Sequence, residues 1–427
     1  MALRSRRMKP FFLLGFVVWV LLLFIIYFQK TVDTVHDQQP VSYSYSYSNF
    51  QWQKSTRSNH VLLQAVHKKK GLDKGDAGIK KVLEPTTPKK RRKKNSDDWE
   101  EYKSKGKKVV QALWMGKVSS KMLSKRLQNA KSNYTYLNTY KVYYTQQQRR
   151  QQGKKELLCQ LKQKAKIRTL NGAEEPFTSL GWEKLVPSQP LEKLHGTPYK
   201  TCAVVSSAGA ILKSSLGQEI DSHDAVLRFN AAPTKGFQKD VGNKTTFRII
   251  NSKVMTDPKE NFSSSYLFKN ITLVAWDSGP YQVDLQEWYE NPDFDLFTAY
   301  ADFRKRFPEQ PFYILHPTFL WSLWNMIQDN TDEEIQPDPP SSGFIGIALM
   351  MGLCETVDVY EFIPSKRHTT LCHYYSDYAD MACTLGAFHP LLFEKLLVRK
   401  MSSSSYFNLI NKGKATLPGF SQVICPS

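Results

Sequence analysis

Short apolar runs, each stopped by small or amide side chains, recur from residue 200 onward. Cys202–Val205 drops into Ser206-Ser207-Ala208-Gly209, Ala225–Phe229 ends at Asn230, and Thr245–Ile250 ends at Asn251. Runs this short, rich in Val and Ile and bounded by turn formers, predict strands. The same signal marks Ile271–Trp276, Phe312–Leu315 and Val357–Phe362. Between them the apolar spacing is helical, over Leu285–Tyr289, over Phe319–Gln328 with Trp321 and Trp324 on one face, and over Gly343–Cys354. Strands alternating with helices predict an α/β fold, with a mainly parallel sheet and helices on both faces. Ligands of such sheets sit beyond the carboxyl ends of the strands. One serine or asparagine there merely terminates a strand. Three neighbouring ends bearing Ser207, Asn230 and Asn251 suit a neutral, hydrogen-bonding nucleotide pocket.

The pattern before residue 109 is different. Residues 1–9 carry Arg4, Arg6, Arg7 and Lys9, and residues 10–28 carry no charge. The 18 apolar residues Phe11–Phe28 are just long enough to cross a thin bilayer. No small-residue cleavage pattern follows in Gln29–Asp33, so the reading is an uncleaved signal-anchor, with a cytosolic tail and the rest of the chain lumenal. Residues 29–108 are polar, with Tyr-Ser repeats and a basic run at Pro88–Lys94, and predict a disordered stem. The catalytic domain is expected over 109–427.

The net charge of +20 does not describe that domain. Residues 1–108 hold 23 Lys and Arg against 9 Asp and Glu, while 109–427 hold 36 against 30. A nucleic-acid-binding protein is therefore disfavoured. All six cysteines, from Cys159 to Cys425, lie in the second part, which suggests disulfides in an oxidising compartment. No C-x2-C pair exists, so a zinc site is weak. Asn133, Asn243, Asn261 and Asn270 head N-x-[ST] sequons. Two of these, Asn243 and Asn270, stand beside predicted strands and are expected to be poorly accessible.

Three stretches bear chemistry. In Pro337-Asp338-Pro339-Pro340-Ser341-Ser342-Gly343 the prolines forbid helix and an apolar helix begins directly after. Ser341 or Ser342 then caps a helix whose free N–H groups suit a phosphate without a metal. In Gly386-Ala387-Phe388-His389-Pro390, Pro390 suits the first helical position and puts His389 at the N-cap, neutral and able to act as a general base. A loop closed between Cys372 and Cys383 carries His373-Tyr374-Tyr375. Asp293-Phe294-Asp295 has the form of a metal-binding D-x-D, but the motif is too short to assign a metal. Neither a dinucleotide fingerprint nor a P-loop occurs.

Together these stretches resemble the animal sialyltransferase family, specifically the β-galactoside α-2,6-sialyltransferases. Lys200–Thr246 resembles the large motif of that family, Pro337–Val359 the small motif, His373–Ser376 the third, and His389 with Glu394 the very small motif. The resemblance implies a variant glycosyltransferase-A-like Rossmann fold. It implies transfer of sialic acid from CMP-sialic acid to O6 of a terminal galactose, with inversion, no metal and no other cofactor. By resemblance His389 is the base, and Ser207, Asn230, Asn251, Ser341, Ser342, Gly343, His373 and Thr384 bind the donor. Lys253, Asp293, Phe388 and Lys395 stand on the acceptor side. The family's pairing implies the disulfides Cys159–Cys425, Cys202–Cys354 and Cys372–Cys383. It also implies a single-pass type II protein of the Golgi membrane, acting on galactose-terminated glycans of glycoproteins or oligosaccharides, and admits a homodimer. Phe388, Lys253 and Ser376 depart from the family pattern and put acceptor preference in question more than the reaction. The competing readings are a sialyltransferase of α-2,3 or polysialyl linkage, and a silent lumenal glycan-binding protein on the same fold.

Overall fold

The computed structural model describes residues 89–145 and 152–426. The expected membrane span at 10–28, and the stem up to residue 88, lie outside the described residues. Seven strands form one sheet: β1 Tyr199–Val205, β2 Ala225–Phe229, β3 Phe247–Asn251, β4 Thr272–Trp276, β5 Phe312–Ile314, β6 Cys354–Tyr360 and β7 Lys414–Pro418. Their order is β5-β4-β3-β2-β1-β6-β7. Every pairing is parallel except β6 with β7. All of β2 is buried, as a strand covered on both faces must be. Alternate residues serve opposite layers: Cys202 and Val204 join one core, Ala203 and Val205 another.

The strand expectations hold to within a few residues at each end. The antiparallel edge strand β7 was not foreseen, since only Ala415 and Leu417 mark its buried face. The longer helices are α1 Lys89–Trp114, α2 Lys125–Leu137, α3 Lys154–Lys164, α4 Leu296–Arg306, α5 Pro317–Asp329, α6 Ser342–Leu353 and α7 Leu391–Met401. Helix α6 is apolar on every side and almost wholly buried, which fits a helix within a core. It lies directly on β2. A Cβ at Gly346 would come within 2.6 Å of Leu227, so only glycine admits this approach.

The stem expectation fails for residues 89–108, which continue as helix α1 across the expected boundary at 109. Tyr102, Gly106, Val109, Val110 and Leu113 form a buried stripe, and the Tyr102 hydroxyl donates to Asp380 at 2.5 Å. That stripe has the helical period, but four lysines between Lys103 and Lys108 hide it from composition. All four sequon asparagines are exposed, so the expected inaccessibility of Asn243 and Asn270 is also wrong. Both precede their strands on turns. Among the described residues no helix is long and apolar enough to cross a membrane.

Candidate active site

The strand order runs outward in both directions from the β1–β6 pair, and at such a switch point the flanking loops part and leave a crevice. A cavity of about 210 Å³ lies there. Ser207 after β1, Asn230 after β2, the end of α6 at Ser341–Gly343, and His373, Thr384, His389 and Lys395 all line it. Seven of the eight expected donor-site residues, and His389, thus line the cavity; the exception is Asn251, which is not among the lining residues. Its Oδ1 caps the turn Ser252–Thr256, accepting from Val254 N–H at 2.9 Å. Its own N–H donates to Asn230 Oδ1 at 3.2 Å, so it supports Asn230 from behind. Asn230 needs that support, because it holds a left-handed φ of 48°. The buried guanidinium of Arg248 fixes the same turn, donating to the carbonyls of Asn230 and Ala232.

The two serines at the end of α6 are not equivalent. Ser341 is the cap: its Oγ accepts from Phe344 N–H at 3.2 Å. Its own N–H and O–H go to the Glu394 carboxyl, at 2.8 and 2.5 Å. Ser342 Oγ accepts from Trp276 Nε1 at 3.0 Å, which leaves its proton to be donated into the cavity. At Gly343 a Cβ would come within 2.6 Å of the Phe362 ring, so the backbone packs closer there than a side chain permits. The free N–H groups and positive end of a 12-residue helix therefore face the cavity.

His389 is not an N-cap. Helix α7 starts at Leu391 with Pro390 as the capping residue, so the histidine precedes the helix and is held otherwise. Its Nδ1 lies 2.8 Å from the carbonyl of Pro339. A carbonyl only accepts, so Nδ1 carries the proton and Nε2 is left with a bare lone pair. Burial lowers the imidazole pKa, opposed in part by the bond to Pro339. Trp276 links the two halves of the site, bonding Ser342 and standing 6.5 Å, ring to ring, from His389. Lys395 points inward: its ammonium donates to the Phe362 carbonyl and lies 4.5 Å from that ring's centre. Burial pulls it down to about 8. Burial also pushes its neighbour Glu394 up to about 7, against the stabilising bonds from Ser341.

The expected acceptor residues other than Lys395 lie outside this cavity. Asp293 Oδ2 accepts from the hydroxyls of Tyr140 at 2.9 Å and Ser278 at 2.8 Å. Asp295 caps α4, accepting from Thr298 N–H at 3.3 Å. The two carboxylates of the D-x-D thus have separate partners. Among the described residues no group of three or more His, Cys, Asp or Glu is arranged to hold a metal ion. Phe388 packs on Tyr134 with ring centres 5.2 Å apart, and Lys253 lies in the short helix after β3.

The family model for glycosyltransferase family 29 (sialyltransferase) matches residues 143–406. The chain belongs to the sialyltransferase family. Among its relatives is a zebrafish protein named beta-galactoside alpha-2,6-sialyltransferase 2, 56% identical over 80% of this chain and 66% of that one. The proteins of the same name from Xenopus tropicalis and human are 49% and 56% identical, over 94% and 76% of this chain. The chain spans 74% and 62% of their lengths. A crystal structure of a mammalian sialyltransferase is similar at 21% identity and a TM-score of 0.33, covering 62% of this chain and 90% of that one.

All three disulfides expected of a sialyltransferase are present, Cys159–Cys425, Cys202–Cys354 and Cys372–Cys383. The second joins β1 to the start of β6 across the switch point. The third closes the loop that brings His373 and Thr384 to the cavity. Sequence reading missed Tyr140, Ser278, Trp276 and the Pro339 carbonyl. Trp276 had a signal, as the last residue of a predicted strand. Ser278 had one too, following that strand end by two residues, whereas Tyr140 had none, because its partner Asp293 lies 153 residues away.

Proposed function

We propose that this sialyltransferase moves sialic acid from CMP-sialic acid to the 6-hydroxyl of a terminal β-galactoside, with inversion at the anomeric carbon. The names of its relatives support the acceptor and linkage. One observation carries the chemistry: His389 lines the same cavity as the end of α6 and is anchored through Nδ1 on the Pro339 carbonyl, which leaves Nε2 with a bare lone pair. A neutral imidazole in this tautomer takes the proton of the attacking hydroxyl as the new bond forms. CMP leaves as a phosphate monoester whose charge meets the N–H groups of α6 and the Ser342 hydroxyl. The donor's own carboxylate offsets charge at the oxocarbenium-like centre. Ser207, Asn230, His373 and Thr384 fix the nucleotide and sugar, and Asp293 orders the acceptor.

On this reading the end of α6 and the Ser342 hydroxyl, rather than a metal ion, meet the charge of the phosphate. The proposal extends to a type II Golgi membrane protein acting on galactose-terminated glycans in the lumen. The test is incubation with radiolabelled CMP-sialic acid and N-acetyllactosamine, followed by linkage analysis of the product. Label released only by a sialidase that cleaves α-2,6 bonds is expected. An α-2,3 product, a sialic acid polymer or no transfer would overturn it.

A further inference from the structure

Helix α1 lies ahead of residue 143, where the match to the family model begins, yet it bonds to two parts of the cavity wall. That wall takes Pro364, Cys372, His373, Cys383 and Thr384 from the segment after β6. At one end of the segment the Trp114 indole donates to the carbonyl of Pro364 at 2.7 Å. At the other end the Tyr102 hydroxyl donates to Asp380, three residues before Cys383. Between Tyr102 and Trp114, Gly106 lies so close to Met381 that a Cβ would meet that side chain. The helix therefore straps the segment down at both ends.

Asp380 is the fastening point. It is 4% exposed. Its Oδ1 accepts from the Tyr102 hydroxyl at 2.5 Å and from Ala382 N–H at 2.9 Å. Its Oδ2 accepts from the Arg126 guanidinium, on α2, at 2.5 Å and from the Tyr378 hydroxyl at 3.3 Å. The bond to Ala382 holds the first N–H of the turn Ala382–Leu385, which carries Cys383 and Thr384. The two ends of the disulfide loop are thus held by different parts of the fold. Beside His373, Tyr374 anchors on the loops after β1 and β2, its N–H donating to the Ser207 carbonyl at 3.0 Å and its hydroxyl to the Pro233 carbonyl at 2.6 Å. Beside Thr384, Asp380 anchors on α1 and α2. The Cys372–Cys383 bridge and the bond from Cys372 N–H to the Tyr378 carbonyl shape the loop from within and do not place it.

We propose that Asp380 is a positioning residue for the donor, through which α1 and α2 hold the Thr384 end of the loop at the cavity. The chain ahead of the family match is then part of the donor site. Loss of the Tyr102 contact, by substitution or by cleavage within α1, weakens donor binding and leaves acceptor binding alone. The inference rests on the proposed CMP-sialic acid site.

The experiment compares the full chain with Tyr102→Phe, Asp380→Asn, Asp380→Ala and the double variant Tyr102→Phe/Asp380→Ala. The readouts are calorimetry with CMP, transfer kinetics with CMP-sialic acid and N-acetyllactosamine, and hydrogen exchange of the backbone amides. Tyr102→Phe removes one hydroxyl and keeps the ring, and should raise the Kd of CMP and the donor KM about threefold. Asp380→Ala should raise both about tenfold, with the acceptor KM held within about twofold. Asp380→Asn keeps an oxygen for Tyr102 and Ala382 and should recover part of that loss. Once Asp380 is alanine, Tyr102→Phe should add nothing further, because its partner is gone. Exchange should quicken over residues 372–385 and stay at the wild-type rate in β1, β2 and β3. A carboxylate that only steadies the fold would lower Tm without moving the Kd of CMP. An unmoved Kd in Asp380→Ala, or equal changes in donor and acceptor KM, therefore overturns the assignment, and transfer by the wild type still supports the function. If Asp380→Ala does not fold, Tyr102→Phe decides by the same measure. A product of another linkage alongside the expected shifts in Kd brings down the proposed function and leaves this inference standing. A wild-type protein that does not bind CMP brings down both.

Discussion

The two sides of the site are built on different principles. The side proposed to hold CMP-sialic acid consists of strand ends and one helix end, and the groups proposed to meet the donor there, Ser207, Asn230, Ser342 and backbone N–H groups, carry no charge, although Lys395 and Glu361 line the same cavity. The side proposed to hold galactose centres on Asp293, whose carboxyl takes hydroxyl protons from Tyr140 and Ser278, and the three residues come from separate loops. A phosphate presents a fixed charge that the fold itself can meet, through a helix dipole and free amides. A sugar presents hydroxyls, which need individual donors and acceptors on side chains. The first kind of site is tied to the sheet; the second can change one residue at a time without disturbing it.

The comparison would break soonest at His389, which belongs to neither side and is shared by both. Replacing it with alanine should lower kcat by about 10²–10⁴-fold, the usual contribution of a positioned base. Binding of CMP, measured by calorimetry, should hardly change. A variant with wild-type kcat would remove the base from the mechanism. The acid limit sharpens the same point. The working form is neutral, and burial lowers the pKa below the ordinary 6.5. Protonation therefore silences the enzyme only as pH falls below that value, so the acid limb of kcat/KM should lie on the acid side of 6.5. A limb above 6.5 would contradict the buried tautomer.

Next come the substrate-specific effects. Asp293→Ala should raise the acceptor KM by about tenfold to a hundredfold, since it removes a charged partner and strands the hydroxyls of Tyr140 and Ser278. The donor KM should stay put. Ser342→Ala should do the reverse, raising the donor KM about three- to tenfold, because the helix N–H groups still meet the phosphate when one hydroxyl is lost. If both variants moved both constants equally, the division into two sides would be wrong.

How much of this was legible follows from the same division. The donor side could be read because its pieces are contiguous: an apolar run followed by Ser or Asn, and prolines followed by Ser341-Ser342-Gly343. Local patterns end strands and start helices, so they also place what stands there. Asn251 shows the limit, since ending a strand did not aim its side chain at the cavity. His389 was legible as a base, but its support was not. Proline suggested a cap, whereas the imidazole is held by a carbonyl about fifty residues back in the chain. Helix α1 was hidden because its exposed face is so basic. Tyr140 could not be inferred, for it acquires meaning only where the fold brings it to Asp293.

The smallest expected effect is that of a chelator, and it tests the acceptor side most narrowly. Asp293-Phe294-Asp295 has the spacing of a metal motif, and a D-x-D ion would bind both carboxylates at once. Here Asp295 accepts the Thr298 N–H at the start of α4, while Asp293 takes hydroxyl protons from Tyr140 and Ser278. To share an ion, Asp295 would have to give up a helix cap, a change that costs on the order of 1 kcal/mol before any metal contact forms. Transfer assayed in excess EDTA should therefore match the untreated rate within error. Loss of activity that Mn²⁺ restores would mean that the D-x-D rearranges when substrate binds, and that the carboxyls around Asp293 serve a cation rather than a sugar.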